Sequence, residues 1–213
     1  MNIVIVDDVS LIRIGLANLL QAGGHTIVGE ADAASSAKDV VLSADPDLVV
    51  LDYYLIDSTG LQVYEVIKEN QLRAKSILLT GTHDIRALSN IIFNTEINAV
   101  VQKGENSSLL RIVEQVQSGK TYIDPNILSE VLQYKRIVNE LNTRQEEILF
   151  GMIRGLTNEQ ISEGLNLSVR SVSNQKAKIR KYINQKKLNQ LRRILFKKHN
   201  EPVSPQSIYF SNM

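Results

Sequence analysis

Ile3-Val4-Ile5-Val6-Asp7-Asp8 opens the chain with a short β-branched apolar run that stops on two adjacent carboxylates. The same grammar recurs in Leu48-Val49-Val50-Leu51 before Asp52, Ser76-Ile77-Leu78-Leu79 before Thr80, and Ala99-Val100-Val101-Gln102 before Lys103. Continuous apolar runs of this length read as strands buried on both faces of a parallel sheet. Polar groups at the carboxyl ends of such strands line the crevice where open α/β folds bind ligands. Asp7, Asp8, Asp52, Thr80 and Lys103 are therefore expected together at one sheet edge.

Helical spacing fills the gaps between the runs. After Asp8, Leu11, Ile12, Ile14, Gly15, Leu16, Leu19 and Leu20 form an apolar stripe, with Ser10 expected as N-cap and Gly23-Gly24 as stop. Strands follow over 26–30, 47–52, 75–80 and 98–102, and helices over 33–43, 59–70, 83–94 and 106–118. Five β/α pairs with short connections predict an α/β domain with a right-handed, doubly wound, five-stranded parallel sheet of flavodoxin-like type.

The second half is all helical. Gly119 ends the first region, and Asp124-Pro125 starts a helix through Ile127, Leu128, Val131 and Leu132 to about 135. Thr143 with Glu146 reads as a capping box opening a helix that buries Ile148, Leu149, Met152 and Ile153 and stops at Gly155. A short helix over 158–163, a turn over 164–167, a basic helix from Ser168 to about 183 and a last helix over 187–198 complete a four-helix, helix-turn-helix domain. The expected boundaries are 1–118 for the sheet domain, 119–140 for a linker with a helix, 141–199 for the helical domain, and 200–213 for a flexible tail.

Charge divides the same way. Residues 1–120 carry 9 Lys+Arg against 15 Asp+Glu, net −6, and residues 121–213 carry 15 against 8, net +7. Between Ser168 and Asn200 stand 11 Lys+Arg and no acid, the footprint of a polyanion partner. The absence of cysteine excludes disulfides and thiolate metal sites. No stretch approaches the roughly 20 apolar residues that span a bilayer, and the first apolar run is too short for a signal peptide. The expected location is the cytoplasm, with no membrane partner.

A single aspartate at a strand end is an ordinary turn residue. The set is different, because adjacent like charges at a buried edge are costly unless a cation or Lys103 compensates them. A carboxylate accepts a phosphoryl group only when the crowded negative charge is neutralised, and the oxygen ligands of Asp7, Asp8 and Asp52 suit Mg²⁺. Asp52 is then the nucleophile, Lys103 pairs with a phosphoryl oxygen, and the Thr80 hydroxyl bonds another. On the basic helix, Val169, Val172 and Ile179 fit an inward face, and Arg170, Ser173, Asn174, Lys176, Ala177, Lys178 and Lys181 an outward one for double-stranded DNA. Asn bonds adenine, Lys reaches guanine, and Ala touches a thymine methyl.

Residues 1–118 resemble the receiver domain of two-component response regulators, through Val6-Asp7-Asp8, Leu51-Asp52 with Gly60 eight residues on, Leu79-Thr80-Gly81 and Lys103. Residues 141–183 are similar to the LuxR-type helix-turn-helix of the NarL/FixJ regulators, with Arg144, Glu147, Gly155, Leu156, Asn158, Ile161, Leu165, Ser168 and Val172 where that motif puts them. The resemblance implies Asp52 as phospho-acceptor from a sensor histidine kinase, and Asp7, Asp8, Asp52 and the Tyr54 backbone carbonyl as Mg²⁺ ligands. It implies Thr80 and Lys103 as the switch pair. It further implies Ser173, Asn174, Lys176 and Ala177 at base edges, Ser168, Ser171, Gln175 and Lys181 nearer phosphates, and a homodimer on DNA. The chain departs from the family at Leu55-Ile56, where Met-Pro is usual, at Val100, where an aromatic is usual, at Gln175 in place of His, and at Tyr182-Ile183 in place of Leu-Gly.

Two other readings compete. A DNA-binding regulator whose receiver works without phosphorylation, through a protein partner, fits Ile56 and Val100. A Mg²⁺-dependent aspartyl-phosphate hydrolase would need an acid two residues past Asp52, where Tyr54 stands.

Overall fold

Six strands build the amino-terminal sheet: β1 (Asn2–Val6), β2 (Thr26–Ala31), β3 (Leu48–Asp52), β4 (Lys75–Thr80), β5 (Ala99–Gln102) and β6 (Tyr122–Ile123). They pair in the order β2-β1-β3-β4-β5-β6, every neighbour parallel. The order reverses between β1 and β3, which is the switch point of a flavodoxin-like sheet. The structure, a computed structural model, describes residues 1–82, 84–104 and 109–195. Five strands were expected and the sixth is a correction. The Tyr122 N–H donates to the Asn98 carbonyl and the Asp124 N–H to that of Val100, both at 2.9 Å. The stretch after Gly119 thus continues the ladder instead of leaving the sheet.

The helices between strands are α1 (Ser10–Ala22), α2 (Ala34–Ala44), α3 (Gly60–Glu69), α4 (Ile85–Asn94) and α5 (Leu109–Gln117), followed by α6 (Pro125–Val138). Positions 83 and 106–108, expected to start two of them, lie outside the described residues. Alternation along the strands sorts the core into two layers. Ile3, Ile5, Leu48, Val50, Ile77, Leu79, Ala99 and Val101 pack with Leu20 of α1 and Ile112, Val113 and Val116 of α5. On the other face a Cβ at Gly29 would meet the side chains of Val4 and of Val40 on α2, and one at Gly60 would meet Leu51. The Lys75 ammonium donates to the Val116 and Gln117 carbonyls at 2.7 and 2.9 Å, closing the carboxyl end of α5.

The chain divides into two compact units, Met1–Leu128 and Ser129–Met213. In the second, α7 (Thr143–Ile153), α8 (Asn158–Gly164), α9 (Val169–Tyr182) and α10 (Gln185–Leu195) enclose Ile148, Leu149, Ile153, Ile161, Leu165, Val172, Ile179, Ile183 and Leu191. The expected residues 196–199 and the tail 200–213 lie outside the described residues. The α8–α9 turn passes through Asn166 at φ 51°, a left-handed position that Asn tolerates better than most residues. Gly155 at φ 78° ends α7.

Three local expectations are corrected. The capping box of α7 is Asn142 with Gln145, one residue ahead of the expected Thr143 and Glu146; Asn caps at least as well as Thr, so the earlier register wins. Ser10 is not the cap of α1: the residue before the helix is Val9, and the Val9 N–H is taken by the Asp7 carboxylate at 2.9 Å. Val169, expected inward, is 41% exposed at the first turn of α9.

Gly60 sits so tightly on β3 that a Cβ would lie 2.2 Å from the Asp52 carbonyl oxygen. Backbone cannot yield as a side-chain tip can, so Gly60→Ala is expected to destabilise the amino-terminal unit by about 1–3 kcal/mol, the range for overpacking. Thermal denaturation followed by circular dichroism checks this, and an unchanged melting temperature would contradict the close approach.

Candidate functional site

Register alone brings the acids together. Val6 pairs with Leu51, so Asp7 and Asp52 stand side by side just past the switch point. Carboxylate oxygens of Asp7, Asp8 and Asp52 all lie within 4.8 Å of one another. Asp7 is fully buried, Asp52 is 7% exposed and Asp8 is open to solvent. Lys103, just beyond β5, reaches across with Nζ 2.8 Å from Asp7 Oδ2 and 2.7 Å from Asp52 Oδ2. A buried carboxylate pair with one ammonium between them and a third carboxylate at the mouth is a built oxygen site. Its donor set fits a small hard divalent cation that keeps some of its water.

Thr80 ends β4 and is fully buried. Its hydroxyl accepts the Thr82 N–H at 3.0 Å, and its carbonyl accepts the Lys103 N–H at 2.8 Å. The loop after Asp52 is held by the Tyr53 N–H on the Leu79 carbonyl, by a bridge between Tyr54 and Thr59, and by a 3.2 Å hydrogen bond between the Tyr54 and Thr82 hydroxyls. The sequence-predicted Asp7, Asp8, Asp52 and Lys103 are thus gathered in one cluster, with Thr80 at the end of β4 and Tyr54 in the loop after Asp52.

Burial pushes the Asp52 carboxyl above the ordinary carboxylate range, against the pull of the Lys103 hydrogen bond and with help from the Asp7 charge. Burial also acts to lower Lys103, but its bonds to Asp52 and Asp7 outweigh that and hold the ammonium above its usual value. The resident cation is therefore secure and the central carboxylate is under charge strain.

Arg13 was missed by sequence reasoning. Its Nη1 donates to the Asp7 carbonyl at 2.7 Å, and its Nε lies 3.5 Å from Glu30 on β2, which fixes the backbone carrying the acid pair. It is the only Lys or Arg before Lys38, and that isolation beside Asp7-Asp8 was the available signal.

In the helical unit, Ser168 caps α9 through the Ser171 N–H at 3.1 Å. Arg170, Ser171, Ser173, Asn174, Ala177, Lys178 and Lys181 are exposed along the helix, the composition of a groove-reading face. Gln175 and Lys176 are half-buried. Gln175 accepts from Gln145 at 3.1 Å, and Lys176 points its ammonium at the Leu156 carbonyl, 3.5 Å away. Arg144 donates to the Leu165 carbonyl at 3.0 Å, pinning α7 to the turn before α9.

Comparison with known proteins identifies both parts of the chain. Residues 3–114 match the response regulator receiver domain, and residues 139–195 match bacterial regulatory proteins of the luxR family. The DNA-binding transcriptional activator DevR/DosR of Mycobacterium tuberculosis is 29% identical over 181 residues, covering 81% of this chain and 83% of its own. The nitrate/nitrite response regulator protein NarL of Escherichia coli is 24% identical over 180 residues, covering 80% and 83%. The fold is similar to that of RcsB from Salmonella enterica serovar Typhimurium, solved bound to a promoter in the presence of a phosphomimetic beryllium fluoride. The TM-score is 0.66 at 22% identity, over 90% of this chain and 97% of that one. Receiver and luxR-family domains in one chain make this protein a two-component response regulator of the NarL/FixJ type.

Proposed function

We propose that a sensor histidine kinase phosphorylates Asp52, and that the modified receiver controls dimerisation and sequence-specific binding of double-stranded DNA to regulate transcription. The observation that carries this reading is the Lys103 ammonium within 2.8 Å of both buried carboxylates, with Asp8 completing the oxygen cluster. In the transfer, an Asp52 oxygen bonds to phosphorus, the P–N bond of the phosphohistidine breaks, and the imidazole leaves with the electron pair. Mg²⁺, held by Asp7, Asp8, Asp52 and the Tyr54 backbone carbonyl, would neutralise charge so that the oxygens can approach. Lys103 exchanges one carboxylate oxygen for a phosphoryl oxygen. The Thr80 hydroxyl, which already accepts the Thr82 N–H, donates its own proton to another.

The chain acts as acceptor and regulator, not as a turnover enzyme, since Tyr54 engages Thr82 through its hydroxyl and supplies no carboxyl as a general acid. Among the described residues no helix is long and apolar enough to cross a membrane, and we place the protein in the cytoplasm with its DNA. For DNA contact we favour Asn174, Ser173 and Ala177 at base edges, with Ser168, Ser171, Lys178 and Lys181 on phosphates. Two copies would read half-sites about one helical turn apart. Lys176 and Gln175 are better suited to supporting the helix from within.

Acetyl phosphate with Mg²⁺ is expected to label the wild type, and Asp52→Ala to abolish the label. Label persisting in that variant would reject the assignment. Because Asp52 titrates above its unfolded value, its contribution to stability is present at acid pH and is lost as pH rises through the raised value. In EDTA, Asp52→Asn should therefore melt higher than wild type at neutral pH, with the gap closing as pH falls below the carboxylate range. On operator DNA, Lys181→Ala should lower the salt slope by about one. Asn174→Ala should instead cost about 1–3 kcal/mol at one base pair and relax its identity. Filter binding across a salt series and a set of single-base variants reads both, and an unchanged slope would remove Lys181 from the phosphates.

A further inference from the structure

The loop that carries the acceptor is fastened to a helix that phosphoryl chemistry does not require. α2 begins after Ala33, whose side chain offers no acceptor, so the amides of its first turn need a partner from elsewhere. Asp57 supplies it. Its Oδ1 accepts the Ala34 N–H at 2.8 Å and its Oδ2 the Ser35 N–H at 3.1 Å. The Ser35 side chain and these two amides hold the Asp57 carboxyl below its ordinary value, so the cap stays charged at neutral pH.

Asp57 belongs to the segment between β3 and α3 that also holds Asp52 and Tyr54. The tip beside it is Ile56, 80% exposed. The Leu55 N–H closes a turn on the Ser58 carbonyl at 2.9 Å. On the far side the Tyr54 hydroxyl holds Thr82. On the near side, among the described residues, the Asp57 bonds are what join the tip to a neighbouring helix. They take the stiffening role at a place where the family usually has a proline and this chain has Ile56.

We propose that Asp57 is a positioning residue for phosphoryl acceptance. By capping α2 from the acceptor loop it fixes the backbone on which Asp52 and the Tyr54 carbonyl meet the cation. The inference rests on the phospho-acceptor reading of Asp52.

The test measures, on the full chain, the Mg²⁺ dissociation constant by titration calorimetry without acetyl phosphate, and beside it the Mg²⁺ concentration that half-saturates labelling by acetyl phosphate. Wild type is compared with Asp57→Ala, Asp57→Asn and Asp47→Ala. Asp47 accepts the Asn2 N–H at 2.7 Å at the opposite edge of the sheet, so its loss removes a similar bond without touching the loop. Asp57→Ala should raise the Mg²⁺ requirement about tenfold, the low end for residues that orient metal ligands, with labelling restored at saturating Mg²⁺. Asp57→Asn, which keeps an acceptor oxygen, should recover most of the loss, and Asp47→Ala should not move it. If Asp57→Ala does not fold, Asp57→Glu, which displaces the oxygens by one methylene, carries the same expectation. An unmoved requirement in Asp57→Ala, or in Asp57→Glu where it stands in, or an equal shift in Asp47→Ala, overturns the inference alone. A wild type that takes no label overturns the acceptor reading and this inference with it.

Discussion

Compensation of buried negative charge at the carboxyl edge of the sheet is the constraint on which the receiver depends. Two carboxylates cannot sit side by side under cover without a cation, and the Lys103 ammonium bridges both. That requirement fixes more than one side chain. β5 must run beside β4 for Lys103 to arrive, its N–H is spent on the Thr80 carbonyl, and Arg13 must grip the Asp7 carbonyl from α1. A metal ion entering the cluster would share this duty with Lys103, so the ammonium that stabilises the resting cluster would also be the group free to turn toward an incoming anion.

The helical unit rests on a different economy, in which backbone groups are satisfied by side chains drawn from elsewhere. Asn142 and Gln145 satisfy each other's backbone at the start of α7, Thr157 and Gln160 do so for α8, and Ser168 caps α9. Gln145 then reaches Gln175, and Arg144 reaches the Leu165 carbonyl. The α9 helix and the turn before it are thereby held by polar contacts from α7, while the exposed face of α9 is left to Asn, Ser, Ala, Lys and Arg.

Most of this was legible in the amino acids, for identifiable reasons. β1, β3, β4 and β5 are buried on both faces, so their apolar runs are unbroken, and the polar residue ending each run marked the site. Amphipathic spacing located α2, α3, α8 and α9 to within a residue, whereas it stopped α6 at about 135 and the helix runs on to Val138. What escaped depends on partners distant in sequence or on very short elements. β6 is two residues long, too short for any period to show. The Asp57 cap on α2 joins residues on opposite sides of a strand, and nothing local to Ala34 announces it. Lys176 reads as outward from its place on the helix, whereas its long stem lets it lie half-buried with its ammonium toward the Leu156 carbonyl. Val169 fits an inward face by spacing, yet it is the first residue of α9 and stands exposed before the packed turns begin.

The contact between Gly60 and the Asp52 carbonyl has an evolutionary corollary. Every single-nucleotide change in a glycine codon that alters the encoded residue adds a Cβ, and the first atom any such Cβ meets is main-chain oxygen. Genetic drift therefore has no gentle exit at this position, whereas the exposed Ile56 a few residues earlier can wander by one base at a time. A lineage that loses the acceptor's function should still retain this glycine, leaving it as a fossil of the site after the carboxylates themselves have gone.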